Sequence, residues 1–257
     1  MKLSRPGWWL ATVFLYLLPT SNRFDLFWSS VFWVGLLYVT LPLNLMVYGW
    51  NDLADIDVDK GNPRKDNFMY GALATPIQLN TARLWIVAVQ FPFIAYLTSQ
   101  KGPLVLLWMV LVVAVNAAYN SPMCGKLSGR PPFDLFCPLG YLLTLVLSCW
   151  VNDLPYCPWS TWGYLVCLVF RTQLWLQAMD IQVDSKNHRK TSAILLGLAS
   201  CKQVLGAIML AEAAWSWFVV QGTLLAAFSA VGASAMVWEA LVYPDQVWSV
   251  KDMITIG

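Results

Sequence analysis

Long apolar segments separated by short polar loops run along the whole chain. Most of them are continuous and approach the about 20 residues that a helix needs to cross a bilayer. This pattern predicts membrane-spanning helices and not a barrel, whose strands alternate apolar and polar positions. The eight predicted spans are 7–20, 27–50, 78–98, 102–119, 134–152, 159–182, 192–215 and 222–243. The first is short and contains Pro19 near its end, so we expect it to be tilted or only partly spanning.

Composition agrees with an all-α, polytopic membrane bundle. Of the 257 residues, 58% are hydrophobic and 12% are charged, whereas soluble domains carry about 25% charged residues. No linker or change in composition marks a second domain, so we predict one transmembrane domain over residues 1–257. The net charge of +2 gives no reason to expect nucleic acid as a partner.

Basic loop residues are distributed unequally between the two faces of the predicted bundle. Only Arg23 and Lys101 fall on one face, and the other loop lysines and arginines fall on the opposite face. By the positive-inside rule, the basic face is cytoplasmic or its organellar equivalent. With eight spans, both termini share that face.

An acid-rich segment, NDLADIDVD at 51–59, follows the second predicted span. If the helix continues through it, a rotation of about 100° per residue groups six side chains within an arc of roughly 100°, with Asp57 opposite. The six are Asn44, Tyr48, Asn51, Asp52, Asp55 and Asp59. Carboxylates this close repel one another unless a cation lies between them, and Mg²⁺ binds carboxylates together with phosphates and water. The segment therefore predicts a metal–phosphate site at the end of a membrane helix.

Two other interpretations of this segment are open. Acids at a helix end are often only a solvated cap. A calcium loop is the second alternative, because Asp55, Asp57 and Asp59 alternate. An EF-hand needs Gly at its sixth position, where this chain has Lys60, so calcium is disfavoured.

A second acidic pair lies at the end of the sixth predicted span. Asp180 and Asp184 are four residues apart and share a helical face with Gln173 and Gln177. A basic loop follows each acidic cluster, with Arg64 and Lys65 after the first and Lys186, Arg189 and Lys190 after the second. A third loop on the same face adds Tyr119, Asn120, Lys126 and Arg130.

These groups suit the ionisation of an allylic diphosphate. Two acidic clusters that face each other would hold two or more Mg²⁺ ions with the diphosphate, and Lys and Arg would neutralise the leaving group. The alkyl tail would lie between the helices, where aromatic faces shelter a carbocation. The predicted catalytic and metal-binding residues are Asn51, Asp52, Asp55, Asp59, Asp180 and Asp184. The predicted substrate-binding residues are Asn44, Tyr48, Arg64, Lys65, Tyr119, Lys126, Arg130, Gln177, Lys186, Arg189 and Lys190.

The two acidic motifs resemble those of the UbiA superfamily of intramembrane prenyltransferases. The segment 51–59 matches NDxxDxxxD and 180–184 matches DxxxD, at the ends of the second and sixth spans as in that family. Smaller features are similar to the lycopene elongase-like branch, namely RPGWW at 5–9, NPRK at 62–65, YNSP at 119–122 and GRP at 129–131. The resemblance implies Mg²⁺-dependent prenyl transfer from a prenyl diphosphate to a lipophilic acceptor, in a central cavity open to the cytoplasmic side. Most members have nine spans, whereas eight are predicted here.

Two further functions compete with prenyl transfer. A terpene cyclase on the same scaffold needs the same ionisation site and captures the carbocation within its own chain. A cation transporter is disfavoured because the acids crowd at one membrane face instead of lying near mid-span. Of the charges inside or near spans, we expect Arg171 to form a structural pair and Glu212 and Glu239 to be interfacial.

Overall fold

The computed structural model describes residues 1–56, 65–73 and 75–248. The predicted site residues Asp59 and Arg64 lie outside the described residues. So does Asp57, which is predicted on the opposite side of the helix. Within the described ranges the regular secondary structure is helical, and the all-α membrane-bundle class is confirmed. The helices are α1 Trp9–Leu17, α2 Ser30–Ala54, α3 Pro76–Ala88, α4 Gln90–Lys101, α5 Leu104–Asn120, α6 Phe133–Phe136, α7 Leu143–Val151, α8 Trp159–Lys186, α9 Ser192–Leu196, α10 Leu198–Trp215 and α11 Thr223–Val242.

Each predicted span is helical over most of its length. Among the described residues, five helical segments are long and apolar enough to cross a membrane. They are Ser30–Ala54, Asn80–Lys101, Phe133–Val151, Leu198–Val220 and Thr223–Val242, and Leu104–Asn120 is a shorter apolar helix. The number of spans, eight, stays a prediction.

The chain divides into two compact units. The first comprises Met1–Lys126 and Gly140–Tyr156, and the second comprises Leu127–Leu139 and Cys157–Gly257. In the first unit, α1, α4, α5 and α7 pack on or around α2. Its core contains the fully buried side chains of Tyr16, Tyr38, Leu97 and Trp108.

Buried polar contacts fix α2 against its neighbours. Pro42 lies inside α2 and has no N–H to donate, which interrupts the helical hydrogen bonding. Gln90 of α4 donates from Nε2 to the Pro42 carbonyl at 2.8 Å. Asn44 is fully buried, and its Nδ2 lies 2.8 Å from Thr12 Oγ1 of α1 and 2.6 Å from the Thr40 carbonyl. These bonds hold the middle of α2 against α1 and α4.

The end of α2 corrects one prediction. The helix ends at Ala54, and Asp55 caps it with φ −110° and ψ 17°, so the expected continuation through the acids is wrong. Within the described residues the helical phase of α2 therefore extends only to Ala54, and Asp57 and Asp59 lie outside them. A run of carboxylates at a helix C-terminus is unfavourable, because that end carries partial negative charge. Lys126 instead donates to the Ala54 carbonyl at 3.3 Å.

In the second unit, α10 packs against α8 and α11. The core cluster contains Leu174, Ala178, Ala193, Cys201 and Leu205. The seventh predicted span is broken between α9 and α10 at Gly197, whose φ of 78° favours glycine.

A buried ion pair joins α8 to α10. Arg171 Nε lies 3.0 Å and 3.1 Å from the two carboxylate oxygens of Glu212, whose side chain is fully buried. The structural pairing expected for Arg171 is confirmed. The interfacial placement expected for Glu212 stays a prediction. Its carboxylate is removed from solvent and requires a partner of opposite charge, which Arg171 supplies.

Candidate active site

Asp52 is a carboxylate of the first motif with several polar partners. It occupies the last turn of α2, and its side chain is 2% exposed. Arg5 Nη2 lies 2.6 Å and Lys65 Nζ 2.7 Å from its Oδ1, and the Ala72 N–H donates to Oδ2 at 3.3 Å. A buried carboxylate of this kind needs such partners to offset its desolvation. Asp52 thus connects α2, the N-terminal segment and the loop after the motif.

Arg5 reaches this site from the N-terminal segment. Its Nη2 also donates to Asn51 Oδ1 at 3.2 Å, and its guanidinium lies 4.8 Å from the ring centroid of Tyr48. Burial alone would lower the pKa of Arg5, but the charge and hydrogen bond of Asp52 outweigh it, and the pKa is raised. Arg5 is therefore a permanent cation of the site.

The loop at 65–73 folds over Asp52. Asp66 and Asn67 both donate their backbone N–H to the Gly71 carbonyl, at 2.9 Å and 3.1 Å. Gly71 has a φ of +97°, and a Cβ on it would overlap Asp52 Oδ2. Glycine is therefore required for the loop to approach the carboxylate this closely.

Asp55 lies in a second group of contacts. It is buried, and its Oδ1 is 3.1 Å from Lys126 Nζ. Asn51 donates from Nδ2 to Asp55 Oδ2 at 3.2 Å and to Asn120 Oδ1 at 3.1 Å. Asn120 ends α5 next to Tyr119, so the third predicted loop does meet the first motif.

Aromatic rings border this cluster. Tyr48 lies one turn before Asp52 on α2, and its ring centroid is 6.2 Å from that of Tyr141. The cation–π contact of Arg5 falls on the same Tyr48 ring. Arg5 and Tyr141 were absent from the predicted site. The RPGWW segment at 5–9 is the sequence feature that could have indicated Arg5 as a site residue. No comparable sequence feature marks Tyr141.

The chemistry of the donors suits a hard cation and a diphosphate. Among the described residues, no three His, Cys, Asp or Glu side chains lie close enough together to hold a metal ion. Two carboxylates and the Asn51 amide oxygen are nevertheless the hard oxygen donors that Mg²⁺ prefers, and Mg²⁺ commonly completes its shell with water and phosphate. Three cations meet two carboxylates in this described cluster, namely Arg5, Lys65 and Lys126. Cations at such a position suit the binding of an anion such as a diphosphate.

The second acidic pair lies at the C-terminal end of α8. Asp184 is buried, and its Oδ1 is 3.7 Å from Arg189 Nη1. Arg189 also donates its backbone N–H to the Asp184 carbonyl at 2.9 Å and its Nη2 to the Ser128 carbonyl at 3.4 Å. Asp180 is half-buried one turn earlier. Arg189 therefore ties the basic loop back to the acidic turn.

Other predicted binding residues lie in different surroundings. Asn44 is enclosed between α1 and α2, two turns before the acids. Gln177 is buried and bonded to Asp134 at 3.0 Å, a residue that was not predicted. The remaining predicted basic binding residues of the second unit are solvent-exposed, namely Arg130, Lys186 and Lys190.

The fold of the chain is similar to that of a solved structure. The chain superposes on the structure of a UbiA homologue from Archaeoglobus fulgidus, bound to DMAPP and Mg²⁺, with a TM-score of 0.70 and 16% identity. The match covers 97% of this chain and 88% of that one. The fold is thus that of a UbiA homologue, and the predicted resemblance to the UbiA superfamily is confirmed. No protein-family model matches the chain.

The chain is similar in sequence to lycopene elongases/hydratases and to a carotenoid biosynthesis protein. A lycopene elongase/hydratase from Corynebacterium glutamicum is 33% identical over 133 residues, which are 51% of this chain and 45% of that protein. The C(50) beta-cyclic carotenoids biosynthesis protein LbtBC from Dietzia sp. is 25% identical over 227 residues, covering 82% of this chain and 51% of that protein. A lycopene elongase/hydratase from Halobacterium salinarum is 30% identical over 121 residues, covering 45% and 42%. The matches span only about half the length of these curated relatives.

Proposed function

We propose that this chain transfers a prenyl group from an allylic prenyl diphosphate to a lipophilic acceptor within the membrane. The observation that carries the proposal is the buried cluster in which Asp52 and Asp55 meet Arg5, Lys65 and Lys126 at the end of an apolar helix. The structural neighbour is bound to DMAPP, and two of the relatives are lycopene elongases/hydratases. We therefore propose dimethylallyl diphosphate as the donor and a long polyene such as lycopene as the acceptor.

The proposed oxygen ligands for Mg²⁺ lie on the two acidic motifs. In the first motif these are Asn51, Asp52 and Asp55, together with Asp59. In the second motif they are Asp180 and Asp184. When bound, Mg²⁺ supplies Lewis-acid stabilisation of the diphosphate oxygens.

The side chains of the first unit then account for the ionisation step. The allylic C–O bond breaks, and the diphosphate leaves with the electron pair. Arg5, Lys65 and Lys126 neutralise the charge that develops on it. The faces of Tyr48 and Tyr141 shelter the allylic cation. A double bond of the acceptor attacks this cation, a C–C bond forms, and the new cation loses a proton or takes up water.

Product analysis tests the proposed reaction. The purified chain in lipid nanodiscs is incubated with C5 to C20 prenyl diphosphates and Mg²⁺, with and without lycopene. We expect a polyene lengthened by one prenyl unit, formed only with the acceptor, and no turnover in excess EDTA. A cyclic hydrocarbon from the diphosphate alone would instead establish the terpene cyclase, and full turnover in EDTA would exclude metal-assisted ionisation.

Neutralising single carboxylates tests the same site. Asp52→Asn and Asp55→Asn should each lower kcat by at least about 10²-fold, or about 2.7 kcal/mol, because the lost charge interaction grows as the diphosphate leaves. Asp180→Asn and Asp184→Asn should behave alike. The matched control is Asp66→Asn, an exposed acid in the adjacent loop that pairs with Lys2. Equal losses in Asp66→Asn and Asp52→Asn would contradict the assignment.

A further inference from the structure

Asp134 is a fully buried carboxylate of the second unit whose donors are all uncharged. Its Oδ2 accepts the Ser192 N–H at 2.7 Å and Gln177 Nε2 at 3.0 Å, and its Oδ1 accepts the Ser192 hydroxyl at 2.5 Å. These donors come from α8 and from the first residue of α9. A single side chain on α6 therefore connects three helices.

Gln177 extends this network along α8. Its Oε1 accepts the Ala193 N–H at 3.2 Å, so both ends of the Gln177 amide are bonded. Gln177 lies three residues before Asp180, on the face of the helix that carries the acidic pair. The network consequently holds the last turns of α8 against the start of α9, on both sides of the basic loop at 187–191.

Stability alone does not explain an acid at this position. A buried charged group seldom stabilises a fold more than an apolar residue of similar volume does. Hydrogen bonds to a carboxylate do, however, impose a defined geometry on every donor. An apolar side chain at position 134 would suffice to pack α6 on α8. It would not set the orientation, about the axis of α8, of the turn that bears Gln177.

We propose that Asp134 is a positioning residue, which acts through Gln177 and Ser192 to orient the turn of α8 that bears Asp180 and Asp184. This inference rests on the proposed function, in which those two carboxylates hold a divalent cation. It also assigns Gln177 to positioning and not to contact with substrate. Asp134 itself touches neither metal nor diphosphate.

Metal affinity tests the proposal without relying on turnover. Mn²⁺, which reports by electron paramagnetic resonance, is titrated into the purified full chain in the presence of inorganic diphosphate. Asp134→Ala should raise the Mn²⁺ Kd by about 10-fold or more, the usual effect of removing a group that orients metal ligands. Asp134→Asn should have a Kd within about threefold of that of the unsubstituted chain. Its amide carbonyl can replace Oδ2 as an acceptor, and the Ser192 hydroxyl can accept from the amide NH₂ instead of donating. Ser192→Ala retains the backbone donor and should give an intermediate Kd, which keeps the test open if Asp134→Ala does not fold.

A matched destabilised variant separates positioning from simple loss of stability. Leu205→Ala creates a cavity in the core of the same unit, and it should lower the melting temperature without changing the Mn²⁺ Kd. An unchanged Kd in both Asp134→Ala and Ser192→Ala, or an equal rise in Leu205→Ala, would overturn the positioning role while the proposed function stands. Failure of the unsubstituted chain to bind Mn²⁺ with diphosphate would overturn the proposed function, and this inference with it.

Discussion

At the scale of single residues, Gly71 illustrates how closely the first site is packed. Its Cα approaches Asp52, and an added Cβ would also come within 3.1 Å of Arg5 Nε. The carboxylate and the guanidinium therefore leave no room for a side chain on the loop. The loop conformation and the position of Asp52 depend on each other.

Gly71→Ala should lower activity by about 10-fold or more, since displacing a positioned ligand by about 1 Å is costly. The control is Gly102→Ala in the same unit, where φ is +83° but nothing lies within 4 Å of the added Cβ. Both variants carry backbone strain of about 1–3 kcal/mol, because their φ values are positive. Thermal unfolding in detergent measures this loss of stability. Only Gly71→Ala should lose turnover, and equal activity in the two variants would show that Asp52 tolerates the crowding.

Long-range partners explain which site residues the sequence could not predict. The spacing of acids along one helix placed Asn51, Asp52 and Asp55 in the candidate site, and the basic loops added Lys65 and Lys126, all of which the structure brings together. Arg5 lies 47 residues from Asp52, and Asp134 lies 58 residues from Ser192. Local periodicity carries no information on contacts of that separation.

At the scale of helices, apolar runs predicted the positions of the elements well and their ends poorly. Hydrophobic length marks a span, but α2 ends where Asp55 and Lys126 meet its last turn, which is a tertiary interaction. The break between α9 and α10 depends on the backbone of Gly197. The Arg171–Glu212 pair likewise required two helices to meet.

Lys202 of α10 has a comparable role at the end of α11. It is fully buried, and its Nζ lies 3.2 Å from Glu239, donates to the Tyr243 and Gln246 carbonyls, and is 5.0 Å from the Trp248 ring centroid. One ammonium therefore attaches the segment 243–248 to the second unit. Glu239 is consequently a partner of a buried lysine.

Lys202→Met should destabilise the protein by about 2–4 kcal/mol, because two carbonyls and a carboxylate lose their donor. Lys101→Met is the control, since Lys101 pairs with the exposed Asp153 and such a pair contributes about 0–1 kcal/mol. Thermal unfolding of both variants in the same detergent provides the comparison. A shift for Lys202→Met no larger than that for Lys101→Met would show that the segment 243–248 is held by its apolar contacts.

At the scale of the whole molecule, the apolar helices agree with a multi-pass membrane protein. Among the described residues, five segments suffice in length and composition to cross the bilayer. The cytoplasmic placement of both termini and of the acidic motifs stays a prediction from loop charge.

Cysteine labelling tests that orientation. In sealed vesicles, Cys124 should react with an impermeant maleimide from the cytoplasmic side, and Cys157 from the opposite side. Cys124 is exposed, whereas burial raises the pKa of the half-buried Cys157, which slows its reaction. Labelling is therefore scored by side and not by rate, with Cys124→Ser and Cys157→Ser as controls. Reaction of both thiols from one side would contradict the predicted topology.

The two cations on Asp52 have a consequence for biosynthesis. Arg5 precedes α2 in the chain and Lys65 follows Asp52 by only 13 residues. Because the chain is synthesised from its N-terminus, Arg5 is made before α2 and Lys65 after it. The N-terminal segment is thus the first counter-charge that the nascent carboxylate meets. A bulky fusion ahead of Met1 is expected to impair membrane integration more than an equal fusion at the other end.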